Sequence, residues 1–185
     1  MNRRDLLKLI TAATGTALIG GNALLAGCTT QNNKPQLSFT DEDVRLLDEV
    51  AEVILPRTDT PGAKDAEVGA FMRVFVTDCY TAEEQAVFHA GLVQLRERCQ
   101  SELGENFMAL TGEQRQSLLQ ALDAEAKAQV AAGGSHYFTM IKQLTLFGFF
   151  TSEVGGTQVL RHIAIPGRYE GCMPYEEGDR AWATR

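Results

Sequence analysis

The stretch that most constrains the fold is the C-terminal part of the chain, from Ser135 to Arg185. Aromatic and aliphatic side chains fill most positions between Tyr137 and Phe150, so this part is predicted as a helix with almost no polar face. A helix that is apolar all round has to be covered on every side. We therefore expect the other helices of the domain to be organised around it.

The tail that follows this helix has a different character. It breaks at Gly155-Gly156, runs through Ile165-Pro-Gly-Arg-Tyr-Glu-Gly-Cys-Met-Pro-Tyr175 and ends near Trp182. Glycine and proline are too frequent here for a regular element, and we interpret the pairs 133–134 and 155–156 as helix C-caps. Aromatic-rich segments are usually buried. The tail is therefore either a strap that closes its own core or a segment pressed against a second protein.

The N-terminus is predicted to be an export signal. Arg3 and Arg4 form a twin-arginine pair, and an uncharged, only moderately apolar run from Leu9 to Gly27 follows after Lys8. This pattern is typical of signals that export already folded proteins. The sequence Leu25-Ala-Gly-Cys28 resembles a bacterial lipobox, in which Cys28 is acylated and the preceding peptide is removed. A plain membrane anchor is the alternative, because the length would just allow one.

These motifs define the predicted domain organisation. Residues 1–27 are the twin-arginine lipoprotein signal peptide, residues 28–38 are the acylated cysteine with a polar tether, and residues 39–185 are the folded domain. We expect a periplasmic protein that a lipid holds on a bacterial membrane. Thr29 after the cysteine favours the outer membrane.

Start signals and apolar spacing predict helices throughout the domain. Thr40, Thr81 and Thr111 each precede acidic or amide side chains in the pattern of a capping box. A further helix is expected to begin near Asp65. No segment has the alternation of a strand bounded by hairpin turns. We predict an all-α fold, a compact bundle of five to six helices with an irregular C-terminal strap.

Composition and motifs give no sign of catalysis. The net charge of −7 offers no basic stripe for nucleic acid, so nucleic acid is not an expected partner. The three histidines, His89, His136 and His162, are scattered over separate elements without metal-ligand spacing. Glu153 is the one carboxylate to consider, and a buried, paired structural acid is preferred over a general base. We predict no catalytic, cofactor-binding or metal site in this chain.

The cysteines leave an odd count once Cys28 carries lipid: Cys79, Cys99 and Cys172 remain. Cys99 would lie about 25 Å along its helix at 1.5 Å per residue, whereas a disulfide needs Cα atoms within about 7 Å, so a bond from Cys79 to Cys99 is disfavoured. Cys99 falls on an apolar face as a buried thiol. Cys172 lies in the tail, where a partner could reach it, and we hypothesise an intermolecular disulfide there. The alternatives are a free thiol or a bond to Cys79.

Three stretches carry a resemblance to a known family. The run from Leu46 to Ala63, with its Leu-Pro-Arg-Thr-Asp-Thr-Pro-Gly core, is similar to the opening of the gluconate 2-dehydrogenase subunit 3 family. The runs Leu146–Gly155 and Ile165–Cys172, with Trp182 downstream, are similar to later parts of the same family. The resemblance spans nearly the whole predicted domain, although the stretch between Thr81 and Gly134 adds little to it.

The resemblance implies a small, non-catalytic subunit without a cofactor of its own. The expected partner is a large flavin enzyme of the glucose–methanol–choline class, which binds FAD and in many complexes is joined by a cytochrome c subunit. The large subunit typically lacks an export signal, so the small subunit would carry it, folded, through the twin-arginine translocase. The lipobox is a departure, because many relatives lack it, and the substrate need not be gluconate.

Partner contact is expected to centre on the apolar helix and the tail, because tyrosine, tryptophan and arginine dominate interfaces. The candidate contact residues are Arg168, Tyr169, Cys172, Tyr175, Arg180 and Trp182. Two alternatives remain open. A stand-alone periplasmic lipoprotein would cover all of its aromatic residues with its own chain. An enzyme would bring Glu153 and a histidine together in a pocket.

Overall fold

The computed structural model describes residues 38–165, 167–168 and 171–183. The predicted export signal with Arg3 and Arg4, the lipobox with Cys28, and Tyr169 lie outside the described residues.

The described chain is all-α, as predicted. It contains five α-helices, a short 3₁₀ turn and a short π-helical turn, and its only extended pairing is an isolated bridge between Arg161 and Trp182. In chain order the elements are α1 (Asp41–Ile54), the 3₁₀ turn (Ala63–Ala66), α2 (Val68–Cys79), α3 (Ala82–Leu103), α4 (Gly112–Ala131), α5 (Tyr137–Thr151) and the π turn (Gly155–Val159). Among these helices, none has both the length and the apolar character that crossing a bilayer would require.

Three of the helices begin at the threonines that the sequence singled out. The Thr40, Thr81 and Thr111 side chains accept hydrogen bonds from the backbone N–H groups of Asp43, Glu84 and Gln114. Those three side chains accept from the threonine N–H groups in return, which completes a capping box at each helix. At the other end of α3, Gly104 adopts a left-handed conformation with φ of 73° and closes the helix.

Helix α5 lies at the centre of the bundle and contacts each of the other four α-helices. Phe138, Ile141, Leu144 and Phe149 of this helix are buried in the core. Two glycines let its neighbours approach closely. A Cβ atom at Gly91 of α3 would lie 2.2 Å from Cγ of Tyr137, and one at Gly148 would lie 2.5 Å from a ring carbon of Phe71 on α2.

The expectation that α5 is covered on every side is wrong. Leu146, Phe147 and Phe150 are exposed by 39%, 49% and 37%. They follow one another at helical spacing along one side of α5, so the uncovered part is a stripe. The other helices pack around the rest of α5 and leave this stripe to solvent.

Two local predictions also need correction. The second helix does not begin near Asp65, because residues 63–66 form a 3₁₀ turn and α2 starts only at Val68, after Glu67 in a left-handed conformation. Gly155-Gly156 is not a C-cap. Helix α5 ends at Thr151, and Gly155 begins the π turn with its Cα so close to the Phe149 carbonyl oxygen that a Cβ atom would lie 2.0 Å from it.

The first of the family-like stretches builds the junction between α1 and α2. Glu52 accepts hydrogen bonds from the N–H groups of Arg57 and Lys64 at 2.8 and 2.9 Å, and Asp48 accepts one from Gly69 N–H at 2.7 Å. Glu49 pairs with Lys64 at 2.5 Å and with Arg115 of α4 at 2.7 Å. Carboxylates on one side of α1 therefore fix the loop after it, so the polar residues of this stretch have a structural role.

Replacing Gly91 by alanine should destabilise the protein. The new Cβ atom would overlap the Tyr137 ring, which is held between α3 and α5, and overpacking of this kind costs about 1–3 kcal/mol. We expect this loss to exceed the gain in helix propensity of about 1 kcal/mol that alanine brings over glycine. Urea unfolding followed by circular dichroism measures the difference. Gly112→Ala is the matched control, since nothing lies within 4 Å of the added Cβ atom at the start of α4, and it should leave the stability unchanged or slightly raised.

Replacing Glu49 by glutamine should destabilise the protein in a pH-dependent way. Burial raises the pKa of Glu49, but the hydrogen bonds and charges of Lys64 and Arg115 outweigh burial, so the pKa lies below its usual value. A lowered carboxyl pKa stabilises the folded state above the unfolded pKa, and this stabilisation disappears as the pH falls through the folded pKa. We expect a cost of about 1–2 kcal/mol at pH 7, between that of surface and buried pairs, which shrinks below about pH 4. Urea unfolding of wild type and variant measures this cost, and an equal cost at pH 7 and below about pH 4 would contradict this account.

Candidate partner-binding surface

The histidines lie apart from one another. His89 on α3 packs against the Phe39 ring, with centroids 4.4 Å apart, and burial lowers its pKa. His136 precedes α5, where its Nδ1 accepts a hydrogen bond of 3.1 Å from Phe138 N–H and caps the helix. His162 is exposed in the tail. Two of the three histidines thus contact structural neighbours within the domain.

Glu153 is on the surface, so the preference for a buried structural acid is wrong. It follows the end of α5 at Thr151 and is exposed, and the hydrogen bond from Thr157 goes to its backbone carbonyl oxygen. Within the described residues, no group of three or more histidine, cysteine, aspartate or glutamate side chains is placed to hold a metal ion.

An open groove of about 740 Å³ lies between α1, the C-terminal half of α3 and the loop after it. Its charged lining includes Arg96, which pairs with Asp43 at 2.5 Å. The remaining lining residues are Glu42, Arg45, Leu46, Glu97, Gln100, Asn106, Phe107 and Met108. Neither Glu153 nor a histidine lines this groove, so it does not have the convergence that an enzyme was expected to show.

The described cysteines are free thiols. Cys99 is fully buried, as predicted, and burial raises its pKa. A thiol with a raised pKa carries little of the reactive thiolate. Cys79, at the end of α2, and Cys172, in the tail, are both exposed. An intermolecular disulfide through Cys172 stays a prediction.

The tail does not close the core. Every described residue from Arg161 to Trp182 is exposed, and only Ala183 is partly buried. The interpretation of the tail as a strap that completes its own core is therefore wrong for the described residues. Its apolar side chains include Ile165, exposed by 84%, and Tyr175, exposed by 77%.

The two ends of the tail are nevertheless joined to each other. Arg161 N–H donates to the Ala181 carbonyl at 2.8 Å, and Ala183 N–H donates to the Arg161 carbonyl at 2.9 Å. The Arg161 guanidinium lies 4.2 Å from the centre of the Trp182 ring, a cation–π contact. Arg180 Nη1 donates to the Gln158 carbonyl at 2.9 Å. These contacts, which we call the latch, fix both ends of the segment between residues 161 and 182.

The latch separates the predicted contact residues into two groups. Trp182 and Arg180 belong to the latch and bind residues of their own chain. Tyr175 and Cys172 lie within the closed segment and are exposed, as is Arg168. Beyond Tyr175 the chain turns, with Asp179 N–H donating to the Glu176 carbonyl at 3.0 Å and Gly178 at φ of 95°.

A second exposed surface lies where α2 meets α5. We use the name aromatic patch for Phe71, Phe75 and Tyr80, which are partly buried, together with Phe147. The Phe147 ring contacts the Phe71 and Phe75 rings edge-on, with centroids 5.7 and 5.6 Å apart. Phe71 and Phe75 contact each other at 5.5 Å, and Tyr80 contacts Phe75 at 5.7 Å. The exposed stripe of α5 therefore continues onto α2.

Sequence reasoning expected partner contact at α5 and the tail, but it missed the part of this surface that α2 contributes, and it expected α5 to be covered on every side. The available signal was that Phe71 and Phe75 are four residues apart, and so share a helix face, and that α5 offers Phe147 and Phe150 at the same kind of spacing. That pattern indicates a shared apolar face, although it does not say whether the face is covered.

One comparison with known proteins gave a match. A family model described as Gluconate 2-dehydrogenase subunit 3 matches residues 41–167. The matched range begins with α1, includes all five α-helices and ends in the first part of the tail, before Cys172 and Trp182. Neither the curated proteins nor the solved structures gave a significant match.

Replacing Arg161 by alanine should loosen the tail without unfolding the helices. Trp182 is the only tryptophan of the chain, so its fluorescence reports on the latch alone. We expect faster acrylamide quenching and lower fluorescence anisotropy, because a cation–π contact worth about 0.5–1 kcal/mol is lost. Helicity measured by circular dichroism should not change. Arg161→Lys, which keeps a cation, should give an intermediate effect, and identical quenching in all three proteins would show that the side-chain contact does not hold the tail.

Proposed function

The chain belongs to the gluconate 2-dehydrogenase subunit 3 family, and from this we propose that it is the non-catalytic small subunit of a periplasmic, flavin-dependent sugar or sugar-acid dehydrogenase complex. The family description carries the proposal, because a protein described as a subunit of a dehydrogenase works together with at least one other chain.

The surface of the domain supports a role in assembly. A protein that works alone is expected to cover large aromatic side chains, whereas exposed apolar patches often mark interaction sites. Here Phe147 and Tyr175 are exposed by 49% and 77%. Several ionisable side chains of the described residues, such as Glu49 and Asp43, are engaged in ion pairs. The accessible features of this domain are thus better suited to protein contact than to bond making.

We propose a large catalytic subunit as the partner. This subunit would be a flavin enzyme of the glucose–methanol–choline class that binds FAD, and a cytochrome c subunit would join it in some complexes. The flavin would supply the oxidation chemistry, and the present chain would bind and stabilise the large subunit. The sugar that is oxidised is a property of the large subunit.

We further propose that this chain directs export. Its twin-arginine pair, Arg3 and Arg4, would take the folded complex through the twin-arginine translocase. Acylation at Cys28 would then hold the complex on the periplasmic side of a membrane, with Thr29 favouring the outer one. This proposal rests on the motifs of the sequence. It also agrees with the resemblance, since the large subunits of such complexes typically lack a signal of their own.

Replacing both Arg3 and Arg4 by lysine should keep the catalytic subunit in the cytoplasm. The test uses the native host, with an affinity tag at the C-terminus of this chain and cell fractionation. In the wild type we expect the tagged chain to co-purify from the periplasmic membrane fraction with a larger protein that has a flavin absorbance spectrum. In the variant, the same flavoprotein and its dye-linked sugar dehydrogenase activity should be found in the cytoplasm.

Cys28→Ser is the matched control for the anchor. It should leave export intact and move the complex from the membrane fraction into the soluble periplasm. A colourless chain of its own mass, recovered alone from the wild-type periplasm, would favour the stand-alone lipoprotein instead. Export of the flavoprotein in the absence of this chain would contradict the carrier role and leave the subunit role open.

A further inference from the structure

We propose that the aromatic patch, together with Leu146 and Phe150 of the exposed stripe, is the surface onto which the catalytic flavoprotein subunit docks, with Phe147 as its central contact. This inference rests on the proposed function and deepens it, because it assigns the contact to α2 and α5 instead of to the latch residues of the tail.

The patch is built before any partner arrives. Phe147 is held edge-on against Phe71 and Phe75, with centroids 5.7 and 5.6 Å away. Phe71 in turn lies directly over Gly148, where a Cβ atom would be only 2.5 Å from its ring. Edge-to-face aromatic pairs are favourable beyond the area they bury. A preorganised surface loses little side-chain freedom on binding, so more of the contact energy is available as affinity.

The exposed area is continuous, which distinguishes it from other exposed apolar residues. Leu146, Phe147 and Phe150 are exposed by 39%, 49% and 37% on adjacent turns of one helix. The rings of α2 extend this area on one side. On the other side, Leu146 lines a groove between α4 and α5 together with Val130. A buried aromatic anchor surrounded by further apolar contacts is the usual composition of an interface hot spot.

Polar contacts occupy several of the other helix junctions. Arg98 of α3 forms two parallel hydrogen bonds, of 2.6 and 2.7 Å, with the carboxylate of Glu125 on α4. Glu49, Lys64 and Arg115 link α1 to α4. At the junction of α2 with α5 the contacts are aromatic instead. Exposure of these rings to water is unfavourable unless another surface covers them.

Four observations favour the flavoprotein subunit as the occupant of the patch. The described part of the tail is exposed throughout and is closed by its own latch, so it does not cover the patch. The chain carries a net charge of −7, which disfavours an anionic lipid surface. The family is named as a dehydrogenase subunit, which implies a protein partner. The patch itself is made of uncharged rings, which favours an apolar partner surface.

The test compares Phe147→Ser with Val93→Ser. Val93 on α3 is exposed by 51%, so both variants replace an exposed apolar side chain on a helix by serine. Each full-length tagged chain is expressed with the flavoprotein that co-purifies with the wild type, identified by mass spectrometry and flavin absorbance. Binding of each purified chain to that flavoprotein is then measured by biolayer interferometry. We expect a Kd at least tenfold higher for Phe147→Ser and within twofold of wild type for Val93→Ser.

A measurement on the wild type alone removes any dependence on the folding of a variant. Hydroxyl-radical footprinting of the free chain and of the complex should show Phe147 and Phe150 oxidised several-fold less in the complex, while Met108, exposed by 46% in the loop after α3, serves as an internal comparison whose oxidation should not change. Unchanged affinity of Phe147→Ser, or equal oxidation of Phe147 in both states, overturns the inference and leaves the proposed function standing. Loss of Phe147 oxidation in the free chain at high concentration would assign the patch to a second copy of this chain. If the wild type binds no flavoprotein at all, that result contradicts the proposed function itself, and with it this inference.

Discussion

The close approach of α5 to its neighbours is the contact on which the rest of the domain depends. Gly91 lets α3 lie directly against Tyr137, and Gly148 lets the Phe71 ring of α2 lie directly on the backbone of α5. Because α5 contacts every other α-helix, its position sets that of the whole bundle. The same closeness brings the rings of α2 beside Phe147, so the packing that stabilises the core also creates the aromatic patch.

The parts of this fold that are predictable from the sequence are the local ones. A capping box is complete within four residues, so Thr40, Thr81 and Thr111 could be recognised without knowing what packs where. The outward face of α5 could not be recognised, because a helix with apolar side chains all round gives no sign of its orientation. Packing against the other helices, including the close approach at Gly148, leaves Phe147 exposed and buries Phe149 in the core.

The structure of the tail was likewise predictable from the sequence only in part. Its glycines and prolines predicted that it lacks regular structure, and that prediction is confirmed for the described residues. Its closure depends on Arg161 meeting Trp182, two residues far apart in the chain whose pairing has no periodic signal. Residue types typical of interfaces led to Trp182 and Arg180 as partner contacts, yet an arginine stacked on a tryptophan stabilises a chain against itself just as well. Residue type therefore identified the chemistry of these side chains and not their partners.

The proposed function makes the exposure of the aromatic patch intelligible. An export route for folded cargo requires the small and large subunits to meet before translocation, while both are in the cytoplasm. In that proposed sequence of events a rigid, half-exposed aromatic surface would be uncovered only briefly, and its cost in water would be offset once the partner covers it. A patch whose rings are already held by Gly148 and by one another can bind without reorganising the helical core. The tail, closed at both ends but exposed along its length, would then be free to add contacts around the edge of an interface whose centre is Phe147.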